Sequence, residues 1–204
     1  MLPPRRLVVA VSGASGSRYA ALFLQQAVRL VPEVAVVLSK IAPRVIVHEL
    51  GLQPSRSFEP TMMLDGVAVP EGHRLTAYGL MDFNAPFASG SNAYDAMVIV
   101  PCSQGLIGHL VAGLADTLIT RAADVCLKER RPLIVVPREA PLSLIHLRNW
   151  TALTECGGTV LPACPSFYQR PQSLDEAMLS VVDRILAHLE LTRPGAYHWG
   201  EETD

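Results

Sequence analysis

The residues best suited to chemistry stand in five short strings of hydroxyl, glycine and charged types. They are Ser12-Gly13-Ala14-Ser15-Gly16, Ser39-Lys40, Pro101-Cys102-Ser103-Gln104-Gly105, Pro137-Arg138-Glu139 and Pro165-Ser166-Phe167-Tyr168. Glycine and small hydroxylic residues let backbone N–H groups approach an anion closely where a helix begins. The first string is neither a G-x-G-x-x-G fingerprint nor a Walker A loop, since no Gly-Lys-Ser/Thr follows it. Alone it is also compatible with a tight turn; with Ser39 and Ser103 it suggests a phosphorylated mononucleotide. Charge adds a second feature. Between positions 121 and 139, Arg121, Lys128, Arg130, Arg131 and Arg138 stand against Asp124, Glu129 and Glu139, a local +2 in a chain of net charge −2. Arg121 and Lys128 are seven apart, so a helix puts them on one face with Asp124 and Val125. Such a face either holds a phosphate or makes ordinary ion pairs in solvent.

Each string follows a short apolar run: Leu7–Val11, Val34–Leu38, Met97–Val100, Leu133–Val136 and Thr159–Leu161. None alternates with polar residues, which fits strands buried on both faces of a parallel sheet. Helix-like stretches lie between and after them, at Arg18–Leu30, Pro43–Leu50, Leu118–Glu129, Ser143–Glu155 and Leu174–Leu189. This alternation predicts an α/β fold, a three-layer doubly wound parallel sheet of flavodoxin/Rossmann-like type. Ligands bind such sheets at the carboxyl ends of the strands, where all five strings fall. The stretch from Gly51 to Ser89 has little periodicity and reads as a long loop with one short strand at Arg74–Tyr78. The tail from Arg193 to Asp204 reads as a frayed terminus.

Composition narrows the partners. The 204 residues are 50% hydrophobic and 18% charged, which suits one core-rich domain over 1–204. A chain with no basic surplus is not a general nucleic-acid binder. The apolar run after Pro3, Pro4, Arg5 and Arg6 is too short for a signal peptide. No apolar stretch reaches the roughly 18 residues that span a membrane, so a cytoplasmic location is expected. Cys102, Cys126, Cys156 and Cys164 show neither zinc-ligand spacing nor a disulfide framework, so no metal is expected. Cys102 reads as packing and His146 as a structural hydrogen-bonding group.

Longer strings carry a resemblance. The segment Arg121-Ala-Ala-Asp-Val-Cys-Leu-Lys128-Glu-Arg-Arg-Pro-Leu-Ile-Val-Val-Pro-Arg138-Glu139-Ala-Pro-Leu, continuing to Ile145-His146-Leu147, resembles the signature of the flavin prenyltransferases, the UbiX family. The five strings, Ala88-Ser-Gly-Ser91 and Trp199-Gly200-Glu201 match in the same order, leaving only the 52–80 stretch uncovered. The resemblance implies a flavodoxin-like fold, a homo-dodecamer and no metal. It implies transfer of dimethylallyl from dimethylallyl phosphate to N5 and C6 of reduced FMN, making the prenylated FMN that UbiD-type decarboxylases use. On matching positions, Gly13, Ala14, Ser15, Ser39, Ser103, Gln104, Gly105, Leu106 and Arg138 would hold FMN, with Arg121 supporting one or both phosphate sites. Lys128, Tyr168, Arg184 and Trp199, with Ser89, Gly90 and Ser91, would hold the prenyl phosphate. Glu139, or the phosphate itself, would carry a proton, Ser15 would relay it or steady the flavin near N5, and Glu49 would be a second acid near the leaving phosphate. The tail 193–204 would pack on a neighbouring subunit.

Two positions depart from the family's pattern. Leu106 stands where a Thr is usual, and Phe83 where a Trp is usual. Two alternatives share the expected fold. An FMN-dependent cysteine decarboxylase needs a His after the second strand, where His48 falls, and a Pro-x-Met-Asn string, which this sequence lacks. A non-catalytic flavin-binding subunit would not need Lys128, Glu139, Tyr168 and Arg184 together.

Overall fold

Successive side chains of a strand point to opposite faces, so a strand that is apolar throughout must be covered on both. In β1 (Arg6–Val11), Leu7, Val9 and Val11 enter one core, and Val8 and Ala10 enter the other. The computed structural model, which describes residues 2–53, 58–197 and 200, shows how that requirement is met. Six parallel strands form one sheet: β1, β2 (Glu33–Leu38), β3 (Arg74–Tyr78), β4 (Ala96–Cys102), β5 (Leu133–Pro137) and β6 (Thr159–Val160), in the order β3-β2-β1-β4-β5-β6. Without β3 this is the flavodoxin order, and β3 extends it to the Rossmann order.

On one face lie α1 (Ser17–Leu30), α2 (Ala42–Leu50) and α6 (Leu174–His188), whose buried residues include Phe23, Ile46 and Ile185. On the other lie α3 (Gln104–Val111), α4 (Leu118–Lys128) and α5 (Leu144–Glu155), contributing Ile107, Leu118 and Leu153. The chain turns back between β1 and β4, so their carboxyl ends frame the crevice expected at a switch point. Four helices begin with side-chain caps of the favoured type: Ser103 for α3, Thr117 for α4, Ser143 for α5 and Ser173 for α6. At α5 the box is reciprocal, because His146 Nδ1 accepts the Ser143 amide at 3.2 Å.

The weakly patterned segment is more ordered than its sequence suggests. It holds β3 and 3₁₀ turns at Pro60–Leu64 and Pro86–Ala88. Met63 and Leu64 enter one core and Phe87 the other, where its ring meets Tyr78 and Tyr94 edge-on at 5.1 Å each. Among the described residues no helix is long and apolar enough to cross a membrane.

Candidate active site

The crevice at the switch point is built by hydrogen bonds between distant strings. Ser12 Oγ donates to the Pro101 carbonyl at 2.8 Å and accepts from the Ser103 amide at 2.9 Å and the Ala14 amide at 3.3 Å. One buried hydroxyl therefore ties the end of β1 to the end of β4. Ser39, after β2, accepts the first amide of α2 (Ala42) at 3.3 Å. Arg138, after β5, donates from Nε to the Ser15 carbonyl at 3.0 Å. The strings at 12–16, 39, 103 and 138 thus meet along one edge of the sheet, and Glu139 follows directly.

Of the amides in the 12–16 loop, the last, at Gly16, is already taken from within the chain. The carboxylate of Glu49 already sits at the start of α1, accepting Gly16 N–H at 2.9 Å and Ser17 N–H at 2.7 Å. Burial works against ionising Glu49, but hydrogen bonds from the Ser15 hydroxyl and the Ser17 and Gly16 amides prevail and lower its pKa. At α3 the situation differs. Ser103 Oγ accepts only Leu106 N–H there, at 3.4 Å, so the first-turn amides of Gln104 and Gly105 remain open to an acceptor. The buried Gln104 side chain accepts Trp150 Nε1–H at 2.9 Å, and its own Nε2 has no partner. These donors suit the polar edge or phosphate of a flavin nucleotide.

A second cluster lies on α4. Arg121 donates from Nε to the Ala88 carbonyl at 2.8 Å and from Nη1 to Asp124 at 3.0 Å. Lys128 Nζ stands 3.4 Å from Glu129. A Cβ on Gly90 would lie 2.1 Å from Glu129 Oε1 and 3.1 Å from Lys128 Nζ, so the 88–91 loop presses directly on this pair. Ser89 and Ser91 share a hydroxyl contact at 3.0 Å. Lys128 precedes β5, whereas Arg138 and Glu139 follow it; a five-residue strand separates them by roughly 16 Å. One chain therefore does not bring Lys128 and Glu139 together.

The third cluster is a cavity of about 400 Å³ whose lining includes Cys164, Ser166, Tyr168, Asp183, Arg184 and Tyr197. Tyr19 is near both Cys164 of this cavity and Arg138 of the crevice. Burial raises the Tyr19 pKa, the nearby Cys164 adds to the rise, and Arg138 opposes it. A Cβ on Gly16, whose φ is +117°, would come within 3.3 Å of the Tyr19 ring. Tyr19, Cys164 and Tyr197 take no site role from the sequence, and Ser12 figures there only as part of its string. Only the serine's place in a matched string could have flagged any of them. Trp199 lies outside the described residues.

The remaining chemistry candidates sort by burial. Cys102 is fully buried and its thiol is pushed far up by desolvation, so it packs rather than reacts; Cys126 is pushed up to about 12 for the same reason. Leu106 is half-buried against the α3–α5 core, and Phe83 is 44% exposed.

The Flavoprotein family model matches residues 1–190. Flavin prenyltransferase UbiX of Pseudomonas aeruginosa is 41% identical over 203 residues, covering 99% of this chain and 97% of the relative. The chain belongs to the flavin prenyltransferase family. Solved flavin prenyltransferase-like structures superpose accordingly. AnUbiX (PadA1), solved in complex with FMN and dimethylallyl pyrophosphate, gives a TM-score of 0.85 at 34% identity, covering 98% of this chain and 100% of that one. A dodecameric FMN-dependent Ubix-like decarboxylase from Escherichia coli O157:H7 gives 0.82 at 36% identity, covering 96% and 100%. Family membership extends over both halves of the sheet, so the crevice, the α4 cluster and the cavity all lie within the matched region.

Proposed function

We propose that the chain is a flavin prenyltransferase acting on reduced FMN and dimethylallyl phosphate, and that its product serves UbiD-type decarboxylases. The observation that carries the reading is the near-full-length match to a flavin prenyltransferase, with the strings at 12–16, 39–40, 101–105 and 137–139 at the carboxyl ends of β1, β2, β4 and β5. Gly13, Ala14, Ser15, Ser39, Ser103, Gln104, Gly105, Leu106 and Arg138 hold the flavin in the crevice. Gln104 and Gly105 do so with their open amides. Tyr168 and Arg184 hold the donor phosphate in the cavity. Lys128 and the 89–91 loop, with Arg121 behind them, supply further donors from a neighbouring protomer of a dodecamer.

The reduced flavin supplies two nucleophilic atoms, N5 and C6. As N5 bonds to the allylic carbon, the C–O bond breaks and its electron pair leaves with phosphate. Cations at Arg184 and Lys128 stabilise that dianion. The N5 proton is released. The departed phosphate takes up the proton released at N5 and returns it to the alkene, and C6 bonds to the resulting tertiary carbon and then gives up its own hydrogen. Glu139 takes that proton, and the Ser15–Glu49 contact steadies the hydroxyl that faces the crevice. Aromatic faces stabilise the positive charge on the prenyl carbons.

Anaerobic incubation of the protein with reduced FMN and dimethylallyl phosphate, followed by mass spectrometry, should show the flavin gaining one prenyl unit. An unchanged flavin with loss of CO₂ from a cysteinyl peptide would identify a cysteine decarboxylase instead. An unchanged flavin with neither reaction would leave a binding subunit.

A further inference from the structure

Asp183 and Arg193 meet fork to fork. Nε lies 2.6 Å from Oδ1 and Nη2 lies 2.9 Å from Oδ2. Both side chains are largely withdrawn from solvent, at 14% and 13% exposure, and Arg193 Nη1 also donates to the Pro194 carbonyl at 3.1 Å. The pair ties the segment after α6 back onto that helix. It also bears on charge. Asp183 and Arg184 are neighbours in sequence, and both line the 400 Å³ cavity with Tyr168 and Tyr197. Without Arg193, the Asp183 carboxylate would stand beside the guanidinium that receives an anion. It would repel the anion or take Arg184 for itself. Arg193 further fixes the backbone four residues before Tyr197, whose half-buried ring forms a wall of the cavity.

We propose that Arg193 and Tyr197 are positioning residues for the allylic phosphate donor. Arg193 cancels the Asp183 charge within the cavity and holds the segment that carries Tyr197, and the Tyr197 ring covers the apolar half of the donor. The inference rests on reading the cavity as the donor site. It divides the work so that Arg184 meets phosphate while Tyr197 meets carbon.

The test uses the intact oligomer and steady-state flavin prenylation. Arg193→Ala should raise the donor KM about tenfold, the scale of one uncompensated charge in a partly desolvated site, with kcat and flavin affinity nearly unchanged. Adding Asp183→Asn should recover a large part of that loss, because the offending carboxylate is gone. Tyr197→Ala should also raise the donor KM, and Tyr197→Phe should recover most of it. A donor KM that stays at the wild-type value in Arg193→Ala, or one that Asp183→Asn does not improve, overturns the proposal. A second readout needs no turnover. Cys164 lines the cavity and is exposed, so its alkylation by iodoacetamide, measured in a Cys156→Ser background, reports occupancy. Dimethylallyl phosphate should protect it, and Arg193→Ala should shift protection to about tenfold higher donor, matching the kinetic shift. Protection without prenyl transfer would sink the enzymatic reading while supporting the cavity assignment. No protection at all would sink the assignment itself.

Discussion

Glu49 lies 33 and 32 residues from the two amides it accepts, and its carboxylate does for α1 what a bound anion does for other helices. Its pKa is lowered on folding. A lowered carboxyl contributes stability that is present above its ordinary range and is lost as pH falls through the folded value. Glu49→Gln should therefore cost about 0.5–1 kcal/mol at neutral pH, at the modest end for a screened cap. That difference should shrink as the solution is acidified; urea denaturation of both proteins across pH checks it. Gly90 is a second single-residue lever. The atoms that a Cβ would strike there, Glu129 Oε1 and Lys128 Nζ, end flexible side chains, so Gly90→Ala should leave the melting temperature nearly unchanged. It should displace Lys128 and raise the donor KM, read by steady-state kinetics.

Between elements, the decisive contact is the Ser12 hydroxyl that joins β1 to β4. Ser12→Ala leaves the Pro101 carbonyl and the Ser103 amide without this partner in a buried setting, at a cost of about 2 kcal/mol. Chemical denaturation should show that loss, and flavin titration should show weaker binding because the crevice is no longer tied together. Much of this level could be read from the chain. Buried β-branched runs announced the strands, and β3 came out at Arg74–Tyr78 as expected. The helix α3 was not foreseen: eight residues with Gly105 and Gly108 give too little period and too little propensity. The order of the 58–89 segment was also hidden, because Met63, Leu64 and Phe87 are spaced by tertiary packing rather than by helix or strand geometry. In the site, the matched strings hold Ser103 and Arg138 of the crevice and Ser166 and Tyr168 of the cavity. The contacts of Ser12, Glu49, Tyr19 and Arg193 join positions far apart in the chain, and no local pattern encodes them.

At the scale of the molecule, one chain leaves Leu144, Ile145, Phe167 and Tyr168 between 61% and 71% exposed, an apolar surface that self-association would cover. It also leaves Lys128 and Glu139 at opposite ends of β5. If neighbouring protomers complete one another's sites, mixed oligomers are informative. Co-expressing Lys128→Ala with Glu139→Gln should give activity well above either variant alone, because some sites then receive both intact residues. Activity equal to the average of the two would place the residues in separate sites. The carboxylate at the start of α1 has a last consequence, for traffic through the active site. Because Glu49 already fills that helix end, phosphate released from the donor finds no berth at the start of α1. On the proposed reading its way out lies past Arg184 and Lys128, the cations assigned to the donor, so inorganic phosphate should compete with donor and leave flavin binding undisturbed.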